Sequence, residues 1–174
     1  MLNLCNAPVG RGGTWNQNDV IIFAPGIASA LFRVPEAGGT PAQITILNAQ
    51  EPGHRYPWFL PDGRHFLYIA YGRDRATSPM VFVQDLATKS RRALLPAASN
   101  VVDASPGYLL FLKDLTLMAQ PFDARKLQAT GDAVPIAEHV GYTAIDLRAY
   151  FSSSQNGVPG LRFTGPEYVR PARN

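Results

Sequence analysis

A polar turn followed by an apolar run recurs along this 174-residue chain at nearly constant spacing, and that repeat constrains the fold more than any other feature. The turns are Asn16-Gln17-Asn18-Asp19 before Val20-Ile21-Ile22-Phe23, and Pro61-Asp62-Gly63-Arg64 before Phe66-Leu67-Tyr68-Ile69. The next are Ser105-Pro106-Gly107 before Tyr108-Leu109-Leu110-Phe111, and Ser154-Gln155-Asn156-Gly157 before residues 158–163. With Asp19, Gly63, Gly107 and Gly157 taken as equivalent, the first two steps are 44 residues and the third is 50. A period of roughly 40–45 residues marks blade-by-blade architectures, in which each small sheet buries its faces against its neighbours.

Each unit reads as four short strands. In the second, residues 55–59 form the first strand and the Asp62-Gly63 turn reverses the chain, since Asp and Gly tolerate positive φ. Residues 65–71 are nearly all apolar, as in a strand covered on both faces, and residues 80–86 and 90–95 supply the third and outer strands. Fifteen Gly and fifteen Pro, about a sixth of the chain against a usual ~12%, fall at the turns and exclude long helices. The first unit repeats the plan at 14–15, 20–24, 31–34 and 42–46, and the third at 101–104, 108–113, 116–122 and 134–140. Further on, Ile145, Leu147, Ala149 and Phe151 alternate with Asp146, Arg148 and Tyr150, which is strand period.

The expected fold is therefore all-β, a partial β-propeller of about three and a half four-stranded antiparallel blades. Residues 1–9 read as the trailing strand of a preceding blade, with Leu2-Asn3-Leu4-Cys5 as that strand. Blades follow at 10–53, 54–98 and 99–141, a half blade at 142–164, and a frayed tail at 165–174. On this reading the chain begins and ends inside a repeat. Open blade edges would then pair within one chain or between two copies, as a homo-oligomer.

The segment Tyr56-Pro57-Trp58-Phe59-Leu60-Pro61-Asp62-Gly63-Arg64-His65-Phe66-Leu67-Tyr68 resembles the signature of the WD40-like Pro-Asp repeat of TolB-type β-propellers. Three further stretches extend the resemblance: Gly12-Gly13-Thr14-Trp15-Asn16, Leu31-Phe32-Arg33-Val34 with Gly38-Gly39-Thr40-Pro41, and residues 116–123. Together these are similar to the C-terminal repeat region of bacterial serine/threonine protein kinases, over roughly residues 3–164. The full Pro-Asp-Gly stands only in the second unit, so the signature speaks for blades and not for a binding aspartate. The resemblance implies a sensor, scaffold or protein-interaction module of a larger TolB-like or kinase-linked protein. It also implies a periplasmic or extracytoplasmic location within such a protein.

Gly10-Arg11-Gly12-Gly13 lacks the spacing of a kinase phosphate loop, and His54-Arg55-Tyr56 lacks the catalytic aspartate. No Gly-x-Ser-x-Gly elbow is present, which argues against a prolyl oligopeptidase-like hydrolase within the chain, though an accessory propeller of such an enzyme is an alternative. His54, His65 and His139 have neither helical spacing nor nearby cysteines, so no metal and no cofactor is expected. Asp62 and Asp103 could be imagined as acid and base, but Asp62 is expected to bond its own turn. Trp15, Trp58, Phe59 and Phe151 recur near the starts of units and are expected in packing between blades, or else lining a ligand funnel.

Charge is nearly balanced: 16 Lys and Arg against 13 Asp and Glu leave +3, and the densest basic run, Lys89-Ser90-Arg91-Arg92, lacks interleaved aromatics. No nucleic-acid partner is expected, and that run reads as a solvated turn and outer strand. No apolar run is long enough to cross a membrane, and the first residues lack a basic and apolar export leader. Lone Cys5 allows no internal disulfide. The loop carrying Arg73, Asp74 and Arg75 is the expected place for partner contacts, with a protein or small ligand as partner. The chain is expected to be a noncatalytic binding module.

Overall fold

Apolar runs broken every few residues by left-handed turn positions fold here into antiparallel sheets and, among the described residues, no helix. A computed structural model describes residues 4–72, 78–104, 106–153 and 159–161. The first blade is β1 (Gly13–Trp15), β2 (Val20–Phe23), β3 (Phe32–Pro35) and β4 (Ala42–Gln43), paired in that order. The second is β5 (Gly53–Phe59), β6 (His65–Tyr71), β7 (Met80–Asp85) and β8 (Arg91–Pro96), again in chain order.

The third blade joins β9 (Val102–Ala104), β10 (Tyr108–Lys113) and β11 (Thr116–Asp123), with β12 (Gln128–Ala129) and β13 (Val134–Ala137) both pairing β11. The short β12 hairpin is an insertion that delays the outer strand β13. Two hairpins follow: β14 (Tyr142–Thr143) with β15 (Arg148–Ala149), and β16 (Phe151–Ser153) with β17 (Pro159–Leu161).

The turn repeat holds at the backbone. Asp19, Gly63 and Gly107, 44 residues apart, have φ of 58°, 64° and 74°, the left-handed region that Asp and Gly enter most readily. The turns nevertheless differ in length. The amide of Asn16 bonds the Val20 carbonyl at 3.1 Å, whereas Leu60 bonds His65 at 2.8 Å, so the Pro-Asp-Gly-Arg turn is one residue longer. One extra residue exchanges the two faces of a strand. Ile22 and Leu110, three residues past their turn positions, face the following blade, and in the second blade Leu67, four past Gly63, does so.

Alternate side chains of β6 thus serve two junctions. Phe66, Tyr68 and Ala70 pack with Ile22, Ala24, Leu31 and Ile44 of the first blade. Leu67 and Ile69 pack with Leu109, Phe111 and Phe122 of the third. On the far side of β10, Leu110 and Leu112 join Ala149 of the first hairpin, with Trp58 and Phe151 against them. Each fully buried side chain of this kind contributes about 1.5–3 kcal/mol relative to exposure.

Two expectations need correction. The alternating run 145–151 is not one strand: residues 144–147 form a turn between β14 and β15, with Leu147 at φ 56° and Ile145 84% exposed. Alternation records which residues are apolar, but the bonds from the amides of Asp146 and Leu147 to the carbonyls of Thr143 and Ala144 close the chain locally. Of the trailing strand expected at residues 2–5, residues 2 and 3 lie outside the described residues, and Leu4 and Cys5 are in no strand.

Candidate functional site

The innermost strands of the blades converge on one region, and β5 is distorted where it meets it. Arg55 pairs Ile69 and Trp58 pairs Leu67, so Tyr56 and Pro57 together oppose Tyr68 alone. This is a β-bulge, a device that re-aims side chains at barrel and propeller rims. Tyr56 sits at φ 51° directly before proline, although a following proline disfavours the helical regions. Such a conformation costs of order 1–3 kcal/mol and persists only where its surroundings impose it.

Those surroundings are specific. The Tyr56 amide donates to the Arg11 carbonyl at 2.8 Å, and the Tyr56 hydroxyl donates to the Asp146 carbonyl at 2.9 Å. Its ring lies against Gly12, where a Cβ would come within 2.9 Å of the ring, so glycine alone allows this approach. Bulge, glycine and tyrosine together open a cavity of about 490 Å³ between β1, β5, β9 and residues 148–152. Its walls carry Trp58, Val101 and Phe151 as apolar surface, with Tyr56, Asn100 and Arg148 as polar groups.

A charged cluster borders the cavity. Arg11 precedes the lining residue Gly12, and its Nη2 stands 2.9 Å from Asp146 Oδ1. Arg55, only 4% exposed, donates through Nη1 to the carbonyls of Ile145 and Asp146 at 3.4 and 3.1 Å. Its guanidinium also stacks 4.2 Å from the centre of the Tyr71 ring. Burial pushes the Tyr56 hydroxyl pKa up, as does the charge of Asp146, while Arg55, Arg148 and Arg11 pull the other way. The first blade, the second blade and the 144–147 turn are thereby joined through one set of polar groups.

The residues singled out in sequence scatter around this site. Trp58 and Phe151 line the cavity, and Trp58 also packs against two core clusters. Phe59 is buried between the first two blades, whereas Trp15 is 59% exposed, so packing between blades fails for it. Asp62 caps its own turn, its Oδ1 accepting the amides of Arg64 and His65 at 2.9 Å each, and Asp103 lies in another blade, on β9. Burial raises the Asp103 pKa.

His54 is wholly buried, its Nδ1 2.8 Å from the Thr45 hydroxyl, and burial holds its pKa down to about 4. His65 meets Asp62 at 2.5 Å, and His139 holds a left-handed position after β13. Among the described residues no group of three His, Cys, Asp or Glu is placed to hold a metal. No helix of the described residues is long and apolar enough to cross a membrane. Arg73, Asp74 and Arg75 lie outside the described residues.

The basic run 89–92 is not simply solvated. Arg91 grips Glu51 of the preceding connection through both Nη atoms at 2.7 and 3.2 Å, touches the Tyr68 hydroxyl at 3.3 Å and lies 4.4 Å over Phe82. Sequence reading missed Arg11, Arg55, Asp146 and Arg148 as a group. The one local signal was Tyr56-Pro57, a proline inside an inner strand, where it marks a bulge.

No protein-family model matches the chain. The Tol-Pal system protein TolB of Chromobacterium violaceum is 36% identical over 88 residues, 51% of this chain and 19% of that protein. The match therefore spans about a fifth of that relative's length. Among solved structures, TolB from Acinetobacter baumannii superposes with a TM-score of 0.65 at 18% identity, covering 90% of this chain and 39% of that one. The β-propeller domain of the trilobed protease from Pyrococcus furiosus gives 0.52 at 11%, covering 76% and 44%. The likeness in structure shows the fold, and with the blade order, the turn repeat and the sequence relative it supports a β-propeller fold of the TolB type.

Proposed function

We propose that this chain is a noncatalytic protein-binding module of a larger, extracytoplasmic propeller, and that the axial cavity takes a segment of the partner protein. The observation that carries the reading is the cavity itself, where Trp58 and Phe151 offer apolar surface beside the Arg148 cation. A concave site with an apolar wall and a few convergent polar groups is what segment recognition requires. Support comes from the relative, a component of the Tol-Pal system. In this reading the blades divide at 10–53, 54–98 and 99–141, with a half blade at 142–164. The loop with Arg73, Asp74 and Arg75, between β6 and β7, adds a second contact.

Selection of a displayed peptide library on the full chain tests the proposal. Peptides so selected are expected to lose at least about tenfold in affinity on Trp58→Ala or Arg148→Glu, the loss typical of one central contact. Failure to select any peptide, or binding by both variants as tight as by the unaltered chain, contradicts it. A second reading, an accessory propeller of an enzyme, draws on the likeness to a protease's propeller domain. Joined to its own hydrolase or kinase, a chain of that kind would change turnover when the cavity is blocked.

A further inference from the structure

The cluster bordering the cavity is incompletely used by the groups that fill it. Arg11 and Arg55 engage the 144–147 turn through Nη atoms, while the Nε of each is buried and meets no hydrogen-bond partner among the described residues. A guanidinium binds a carboxylate best through two parallel N–H groups. The turn instead offers one carboxylate oxygen and two backbone carbonyls. Around the Tyr56 hydroxyl, Arg11, Arg55 and Arg148 outnumber Asp146. The site therefore has positive charge and unmet donors to spare.

The turn that fills it is held from outside, by Arg11, Arg55, Tyr56 and the Asn100 amide, which donates to the Leu147 carbonyl at 3.2 Å, more than by its own bonds. Its internal bonds are long, at 3.2 and 3.3 Å, Leu147 is left-handed, and Ile145 is 84% exposed. Asp146 keeps a third of its side chain in solvent. With weak internal bonding and a strained residue, the turn has little of its own to keep it in place once a competitor takes over its contacts with Arg11, Arg55 and Tyr56.

We propose that Arg11, Arg55 and Tyr56 form a cradle for a carboxylate carried by a partner polypeptide, and that the 144–147 turn, through Asp146, is the intramolecular occupant this partner displaces. The inference rests on the reading of the axial cavity as a protein-binding site and specifies its chemistry: an acidic side chain in the cradle, with the adjoining segment against Trp58 and beside Arg148. Competition between Asp146 and the partner makes the site self-masking.

The probe is a labelled nonapeptide with the sequence of residues 142–150, together with its twin carrying Asn at the Asp146 position, titrated by fluorescence anisotropy against the full chain. The acidic peptide is expected to bind the Asp146→Asn protein about tenfold more tightly than the unaltered chain, and about tenfold more tightly than its twin does, the worth of one charge-assisted hydrogen bond. Arg11→Gln or Arg55→Gln, added to Asp146→Asn, is expected to erase the preference between the twins. Equal binding of the two peptides, or no gain from Asp146→Asn, overturns the cradle. If Arg55→Gln does not fold by circular dichroism, Arg11→Gln decides.

Free glutarate separates two sources of carboxylate. Glutarate competing as well as the peptide, mole for mole, assigns the cradle to small acids and overturns the polypeptide occupant. Library peptides that bind the cavity without regard to carboxylates remove the cradle and leave the binding module standing. An empty library removes the module itself.

Discussion

The second blade meets its two neighbours in different ways. Toward the third blade the junction is apolar: Leu67, Ile69, Val81 and Val83 interlock with Leu109, Phe111 and Phe122. At its margin the exposed Arg92 guanidinium reaches the Lys126 carbonyl at 2.9 Å. Toward the first blade an apolar cluster is crossed by polar pins. Gln84 donates to the Ile44 carbonyl at 2.7 Å, and Asn16 donates to the Gly63 carbonyl at 2.7 Å. Arg91 holds Glu51, and Thr45 accepts the Leu31 amide while facing His54. Apolar contact is non-directional and sets strength, whereas buried hydrogen bonds set register and leave a junction open to pH. The polar junction is also the one beside the cavity and the cradle.

The difference can be broken from either side. Leu109→Ala, which hollows the apolar junction, is expected to cost about 2–5 kcal/mol in urea unfolding. Next in size is the effect of acid on the polar junction. Burial holds His54 near pKa 4 against 6.5 when exposed, so the unfolded chain binds the proton first. Its contribution is whole above pH 6.5 and is lost as pH falls from 6.5 toward 4. Titration from pH 7 to 5 should remove roughly 2 kcal/mol, and His54→Gln should flatten that slope.

Arg91→Met leaves Glu51 and the Tyr68 hydroxyl without their shared partner. With Arg91 31% and Glu51 18% exposed at the side chain, the expected loss in the same unfolding assay is about 1 kcal/mol. Smallest is Trp15→Ser, on the inner strand of the first blade but 59% exposed. It should shift stability by no more than about 0.5 kcal/mol. A larger loss would mean that Trp15 is covered in solution.

Much of this architecture was legible in the residues. The 44-residue step located three left-handed turns, because Asp and Gly are placed where positive φ is needed. The assignment of faces was not legible. Pro61-Asp62-Gly63-Arg64 is one residue longer than its counterparts, so Phe66 turns back toward the first blade although equal spacing from the turns would send it forward. Nor did the alternation at 145–151 disclose a turn, since apolar period says nothing of which backbone bonds form.

The candidate site was hidden for a related reason. Arg11, Arg55 and Asp146 are brought together across contacts of 91 and 135 residues in sequence, with no local spacing to mark them. Asp62 was conspicuous and proved structural. Its own turn, with His65 and the amides of Arg64 and His65, holds its carboxyl below the ordinary range against the opposing effect of burial.

Hydrogen exchange on the full chain, read by mass spectrometry at pH 7 and pH 5 and corrected for intrinsic rates, compares the two junctions within one molecule. The amides of His54 and Tyr56, bonded to the carbonyls of Ser29 and Arg11 across the polar junction, are predicted to lose protection on acidification. Those of β10, backed by the apolar junction, are predicted to hold. Equal loss at both, or earlier loss in β10, would contradict the account.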